Sequence, residues 1–389
     1  MDFSLTFEQR AIRDTVRDFV NKEVRPLEAE VLRRERRHEP GLEPGELREL
    51  QLKAKEFGFW GLATPEEYGG MELPAITQSL IFTELGRTFV PFVFGGDADN
   101  ILFYADERQK REYLLPTIAG ERRSCFAITE PGAGSDAANI KLSARRDGGD
   151  WILKGEKTFI TGGNEADFAI VIAVTDKEKG AREGATAFLV DRDMGWTSEF
   201  IQTMGEGGPA SLIFDDVRVP AENILGEVGS GFKLGMEWIG KGRYLIPSTA
   251  LGIAERALQM AIEHALNRET FGKPIAVNQA IQWMIADSEV ELEAARLLIL
   301  RAAWIVDQGG DPRHASAMAK LYGAEMVNNV VDRVMQIHGG MGYTRELPIE
   351  RWYRQVRLFR IFEGTDEMQR LIISRDLLRG YTKLGQEPS

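Results

Sequence analysis

The chain has 389 residues, 43% hydrophobic and 28% charged, which allows two or three domains around a large buried core and is too ordinary for a disordered or fibrous protein. Its net charge of −12 argues against a nucleic-acid partner, which needs a clustered basic face, while 48 Lys and Arg leave room for local basic pockets around a phosphorylated cofactor or CoA thioester. Cys125 is the only cysteine, so neither an intrachain disulfide nor an all-thiolate metal site can form.

His38, His264, His314 and His338 lie far apart without metal-ligand spacing, and no metal is expected. The start Met1-Asp2-Phe3-Ser4-Leu5 has neither a secretory nor a transit pattern. No apolar run approaches the roughly 20 residues that span a bilayer, so a cytoplasmic, reducing setting without membrane contact is expected.

In chain order, residues 1 to about 122 read as helical. Phe7, Ala11, Ile12, Val16, Phe19 and Val20 recur at helical spacing, and Thr6 is placed to cap their helix. Apolar runs over 76–90 and 101–118 share that character. From about 123 to 229 short strand-like runs take over, at 124–129, 151–154, 158–161, 168–174, 187–190 and 212–214. Asp147-Gly148-Gly149-Asp150 between two of them predicts a hairpin. Strands at this spacing predict a small sandwich or barrel.

Helices return from about 230, at 246–266, 279–306 and 315–338. A last helix over 365–378 carries Met368, Leu371, Ile372 and Leu378 on one expected apolar face. The sum is a mainly α protein with a central β domain: an N-terminal helical domain (1–122), a middle β domain (123–229) and a C-terminal helical-bundle domain (230–389). Strands and helices do not alternate as βαβ units would.

Gly132-Ala133-Gly134-Ser135-Asp136-Ala137 satisfies the dinucleotide pattern GxGxxG/A, which requires a helix opening at the glycines. The residues that follow, 138–145, look extended instead, so a Rossmann site is not expected. The glycines still let backbone amides approach a ligand closely.

Ile128-Thr129-Glu130-Pro131-Gly132-Ala133-Gly134-Ser135-Asp136 resembles the first signature of the acyl-CoA dehydrogenases, and Lys157-Thr158-Phe159-Ile160-Thr161 their flavin-face strand. Arg268-Glu269-Thr270-Phe271-Gly272-Lys273 with Gln279, then Gln336-Ile337-His338-Gly339-Gly340-Met341-Gly342-Tyr343, then Ile361-Phe362-Glu363-Gly364-Thr365 match in order. The resemblance runs nearly end to end. It implies a three-domain fold (helical, β-barrel or sandwich, four-helix bundle) with FAD held between the β domain and the C-terminal helices. It implies removal of an α-proton and a β-hydride from an acyl-CoA, an electron-transferring flavoprotein as acceptor, a place in fatty acid β-oxidation, and a homotetramer built as a dimer of dimers.

An α-proton beside a thioester is a very weak acid, so it needs a positioned base and a polarised carbonyl together. By resemblance Glu363 is the base and its amide a donor to the thioester oxygen. From the residues alone, the apolar Ile361-Phe362 before Glu363 suits a carboxylate made more basic by burial, while a loop glutamate, or an acid near a helix N-terminus, accounts for it as well. Some relatives carry the base immediately before an arginine corresponding to Arg243; here that position is Gly242, and nearby Glu237 falls on another helical face. Thr129 and Thr161 are implied to bond the flavin, and Ser135 to meet cofactor or CoA phosphates, although ordinary strand and turn chemistry also accounts for these hydroxyls. Phe126, Gly134, Phe159, Phe271, Gln279, Gln336, Gly339, Gly340 and Glu367 complete the implied cofactor contacts. Thr365 reads as a helix cap, a cofactor contact, or both.

Arg268 suits a pyrophosphate and by resemblance reaches a neighbouring subunit's FAD; otherwise it is a solvated helix-end charge. Arg243, Phe362 and Gly364 are substrate-side candidates, and an intrahelical salt bridge accounts for Arg243 equally well.

Phe159 stands where the family usually has tryptophan, Phe362 where it has tyrosine, and Gly240 where it often has an acid. These departures bear on the substrate, not on the reaction type. Two rival readings remain open: an oxidase of the same fold that reduces O₂, like acyl-CoA oxidases or the aspartate-bearing nitroalkane oxidases, and a helical scaffold without cofactor.

Overall fold

The computed structural model describes residues 4–381. The chain begins with α1 (Phe7–Phe19), whose start is closed reciprocally: the Gln9 amide donates to the Thr6 hydroxyl at 3.1 Å, and the Thr6 amide donates to the Gln9 side chain at 2.9 Å. Helices α2 (Glu28–Glu35), α3 (Pro44–Glu56) and α4 (Ala75–Gly86) follow. The run expected to stay helical to 90 stops at Gly86, and the chain crosses 87–99 as an irregular loop. The run over 101–118 is broken into short turns that include α5 (Glu107–Gln109) and α6 (Leu115–Ala119).

The middle of the chain forms β1 (Ser124–Ala127), β2 (Ser143–Asp147), β3 (Asp150–Ile160), β4 (Phe168–Val174), short α7 (Gly180–Gly184), β5 (Ala185–Asp191), β6 (Thr197–Phe200), β7 (Ala210–Pro220) and β8 (Ile224–Leu225). They join in one eight-stranded mixed sheet in the order β6-β7-β3-β2-β4-β5-β8, with β1 parallel to β4. The expected hairpin is present, with Asp147 paired to Asp150 and Gly148 left-handed at φ +64°. The two runs at 151–154 and 158–161 prove to be one strand, β3, and Thr161 lies just past its end.

Strand β4 is buried on both faces. Phe168, Ile170 and Ile172 join one core with Phe126, Leu189 and Leu234, while Ala169 and Val171 join another with Leu153, Phe188 and Leu212. That explains why its sequence is a continuous apolar run rather than an alternating one.

Helices α8 (Gly231–Lys241), α9 (Leu245–Asn267), α10 (Gln279–Asp307), α11 (Arg313–His338), α12 (Ile349–Val356) and α13 (Asp366–Leu378) complete the fold, with a small hairpin of β9 (Glu269–Thr270) and β10 (Lys273–Pro274) between α9 and α10. The first and last thirds share one core: Val16, Phe19 and Ile81 pack with Leu251, Ala254, Val327 and Val330. Helices α4 and α9 cross so closely that a Cβ on Gly252 would sit 1.9 Å from the Thr83 carbonyl oxygen. Asp307, ending α10, accepts from the amides of Ala75 and Ile76 at 2.5 and 3.1 Å and so caps α4 from a distant part of the chain.

The last helix departs from its expected apolar face. Helix α13 buries Asp366, Gln369 and Asp376, while Leu371 and Leu378 are exposed. The polar side is inward because it is engaged: Asp366 pairs with Arg360, and Asp376 with Arg313.

Candidate active site

Glu363 lies in the loop 361–365 that enters α13. Its φ is +54° and that of Gly364 is +85°, two consecutive left-handed residues. The conformation costs a glutamate about 1 kcal/mol and persists only where neighbours fix it. They do. The Gln369 side-chain amide donates to the carbonyl oxygens of Glu363 (3.2 Å) and Gly364 (2.9 Å), and the Lys320 ammonium donates to that of Gly364 at 2.7 Å. Thr365 caps α13, its hydroxyl accepting from the Met368 amide at 3.3 Å. Glu367 is exposed beyond it, and Phe362 is half-buried against Phe359, ring centroids 5.5 Å apart.

With the turn held by its carbonyls, the rest of Glu363 is left free. Neither its carboxylate nor its peptide N–H hydrogen-bonds to any described residue. Burial raises the carboxyl above its ordinary range, and the charges of Arg243 and Lys320 oppose that rise. Among the described residues the Arg243 side chain makes neither the intrahelical salt bridge considered for it nor a hydrogen bond. Its Nε is buried without a partner, and burial lowers its affinity for the proton while Glu363 raises it. A carboxylate with raised pKa, free lone pairs and an idle N–H beside it can take a proton from one atom of a ligand while donating to another.

The β domain presents a second group of candidates. Phe126, within β1, stacks on Trp238 of α8 with centroids 4.2 Å apart and planes at 18°. Helix α8 then leads directly into Gly242 and Arg243, which ties the sheet to the Glu363 side. Trp238 is itself fixed, its Nε1 donating to Asp99 at 2.6 Å. The Thr129 carbonyl accepts from the Thr158 amide at 2.9 Å, bringing the first signature against β3.

Beneath them Lys157 is fully buried, donating to the Ile128 carbonyl at 2.9 Å and to Glu130 at 2.7 Å, and burial pushes its ammonium down to about 8. Glu130 in turn accepts from the amides of Lys141 and Leu142 at 2.6 and 2.9 Å, closing the glycine-rich loop. The residues after that loop make a short turn at 137–139 before extending, and no long helix opens there. Gly132 and Gly134 face open space, and Gly134, Ser135 and Thr161 are exposed. Phe159, left-handed at φ +57° where the β3–β7 register slips, holds its ring 63% exposed. An exposed aromatic in a strained backbone, beside hydroxyls and open glycines, suits a flat polar cofactor such as a flavin.

A third group gathers elsewhere. Arg268, exposed at the end of α9, opens the β9–β10 hairpin, whose turn holds Phe271 (φ +52°) fully exposed, and exposed Gln279 begins α10 just beyond. His264 of α9 stacks on His338 of α11 at 4.4 Å, which brings Arg268 toward exposed Gln336, Gly339 and Gly340. Lys320 and His338 are 18 positions apart on α11, so this group sits about 27 Å along the helix from the turn at Glu363.

Sequence reasoning missed Lys320, Gln369, the Lys157–Glu130 pair, Trp238 and the His264–His338 stack. One signal was available. Lys320 shares a helical face with Ala317, Gly323, Ala324 and Val327, all buried, and a lysine on an apolar stripe needs a reason.

Among the described residues, no group of His, Cys, Asp and Glu is placed to hold a metal ion, and no helix is long and apolar enough to cross a membrane. Three family models match in succession: the acyl-CoA dehydrogenase N-terminal domain over residues 6–121, the middle domain over 125–217 and the C-terminal domain over 229–378. The chain belongs to the acyl-CoA dehydrogenase family. It is an oxidoreductase with that family's three-part fold.

It is 39% identical to the mitochondrial short-chain specific acyl-CoA dehydrogenase of Mus musculus over 381 residues, covering 95% of this chain and 90% of the relative. It is 38% identical to the caffeyl-CoA reductase-Etf complex subunit CarC of Acetobacterium woodii, covering 96% and 98%. The structure of butyryl-CoA dehydrogenase from Megasphaera elsdenii superposes with a TM-score of 0.86 at 33% identity, covering 97% of this chain and all of that one.

Proposed function

We propose that the chain oxidises an acyl-CoA thioester to the trans-2-enoyl thioester, with Glu363 taking the α-proton. Bound FAD would supply the acceptor for the β-hydride. The observation that carries the reading is the turn at 363–364, whose carbonyls are all engaged while the Glu363 carboxylate and N–H are left unbonded. The free N–H suits the thioester oxygen, and the free carboxylate suits the α-carbon beside it.

Thr129, Thr161, Phe126, Phe159, Gly134, Ser135, Thr365 and Glu367 are proposed to hold the cofactor, and Arg243, Ser135, Phe362 and Gly364 the substrate. Arg268, Phe271, Gln279, Gln336, Gly339 and Gly340 are proposed to reach the cofactor of a neighbouring subunit, which the distance of about 27 Å along α11 supports. Trp283, Val290, Leu297 and Trp304 recur every seven residues along α10 and are all exposed, an apolar seam suited to a homotetramer. The domain boundaries at 122/123 and 229/230, a cytoplasmic location, an electron-transferring flavoprotein as acceptor and a role in fatty acid β-oxidation belong to the same proposal.

The name of the A. woodii relative supports a second direction, reduction of an enoyl thioester, in which the same carboxyl group returns a proton. Reoxidation by O₂ is the third alternative, and comparing air with electron-transferring flavoprotein as acceptor separates it.

The test is anaerobic flavin bleaching by a panel of butyryl-, isobutyryl-, octanoyl-, glutaryl- and 3-phenylpropionyl-CoA. Glu363→Gln is expected to bind FAD and lose bleaching by several orders of magnitude. Equal bleaching by that variant rules out the assigned role.

A further inference from the structure

Lys320 is fully buried in α11, where an ammonium is costly unless it is used. Among the described residues its ammonium hydrogen-bonds to the Gly364 carbonyl at 2.7 Å, and the Asp366 carboxylate lies 3.7 Å away. Asp366 has a nearer partner in Arg360, which donates to its Oδ2 at 2.6 Å, while Lys320 faces the other oxygen beyond hydrogen-bond reach. The hydrogen bond Lys320 donates goes to the left-handed turn, at a carbonyl it shares with Gln369.

That turn is clamped from two sides. Gln369 holds the peptide between Glu363 and Gly364, and Lys320 with Gln369 holds the next, between Gly364 and Thr365. The clamp is tight, since a Cβ on Gly364 would come 2.7 Å from the Gln369 side-chain nitrogen. Fixing both peptides fixes the backbone on the C-terminal side of Glu363 and hence the direction of its carboxylate.

Resting on the reading of Glu363 as the base, we infer that Lys320 is a positioning residue for it, holding the left-handed 363–364 turn through the Gly364 carbonyl and setting its own charge against the Glu363 carboxylate. Lys320 touches neither substrate nor cofactor in this role. The charges facing Glu363 are Arg243, from the α8–α9 junction, and Lys320, from α11. Those facing Lys320 are Asp366, Glu363 and Arg243. Arg360 acts on this group through Asp366, and Arg313 through Arg243.

Removing the lysine charge leaves burial less opposed, so Glu363 holds its proton to higher pH and the base form is populated later. For Lys320→Met the acid limb of kcat/KM is expected to move up by about one pH unit, with kcat reduced more than KM is changed. Lys320→Arg keeps the charge but not the compact ammonium, and is expected to leave the limb in place while lowering kcat. The profile uses whichever acyl-CoA of the panel bleaches the flavin fastest, and FAD content is measured by absorbance in each variant. Crystal structures of the variants supply the readout that needs no turnover, with Glu363 or Gly364 leaving the left-handed region in Lys320→Met.

An unmoved limb together with an unmoved turn in Lys320→Met overturns the inference. If Lys320→Met does not fold, Lys320→Arg and Gln369→Leu decide: an undisturbed turn and full kcat in both overturn it. Should Glu363→Gln bleach normally, the reading of the base fails instead, and the crystallographic arm still reports on the turn.

Discussion

Arg243 and Glu363 act on each other through the protein interior without an ion pair or hydrogen bond between them. A direct bond would tie up the carboxylate's lone pairs and hold it in the ionised form. A nearby but separate cation favours the charged form while leaving the oxygens free for a proton.

Arg243→Met is therefore expected to raise the acid limb of the kcat/KM profile, in the same direction as loss of Lys320, because in both cases burial is left less opposed. Arg243→Lys restores the limb and not the full rate. A pH titration of initial rates across the three proteins checks this, and a limb that moves down contradicts it.

The raised carboxyl at 363 also has a stability consequence. In the unfolded chain a glutamate titrates near its ordinary value of 4.5; in the folded protein it titrates higher. Between those values the folded state binds more protons, so stability is fully present below the unfolded value and is lost as pH rises through the folded one. Glu363→Gln cannot lose a proton. Its Tm is expected to match the wild type near pH 4 and exceed it at pH 8, by on the order of 1–3 °C. Parallel thermal melts at the two pH values measure it.

Breaking the Lys157–Glu130 pair from one side leaves a buried charge alone. Lys157→Met is expected to cost about 3 kcal/mol and to loosen FAD retention, since Glu130 also closes the glycine-rich loop. The pair Lys157→Met with Glu130→Gln is expected to recover part of the loss. Chemical denaturation and flavin retention on a desalting column report both effects.

Mixing subunits tests the arrangement in which Arg268 serves its neighbour. Arg268→Met and Glu363→Gln, each inactive alone, are denatured and reassembled in equal amounts. With Arg268 acting across the interface, about a quarter of the sites regain both residues and about a quarter of the activity returns. With Arg268 acting within its own chain, none does.

The apolar seam on α10 carries its own expectation. Trp283→Glu with Leu297→Glu is expected to turn four-copy assemblies into smaller species by analytical ultracentrifugation. Unchanged sedimentation would place the seam outside the interface.

Local pattern carried much of this into the sequence. The Thr6 cap, the Asp147–Asp150 hairpin and the span of β4 follow from short-range chemistry and are found where the residues place them. The family resemblance singled out Glu363 and Arg243 as candidates. What stayed hidden depends on partners far apart in the chain. Lys320 meets Gly364 across 44 positions, His264 meets His338 across 74, and no spacing rule links them. Helix α13 misled for a related reason: Asp366 and Asp376 face inward because Arg360 and Arg313 receive them, and Gln369 because it donates to the carbonyls of Glu363 and Gly364.

The core shared by the two ends of the chain bears on how the protein is made. Phe19 meets Phe57, Phe92 and Phe94 early, but the part of the core that Leu251, Val327 and Val330 supply to Val16, Phe19 and Ile81 is complete only when those residues have left the ribosome. At roughly 5–20 residues per second, the interval between Ile81 and Leu251 is about 10–30 s, during which greasy helical faces stand uncovered while the sheet is still being synthesised. The nascent protein must be shielded through that wait, and a fragment ending after the sheet would never find the surface that completes its first helices.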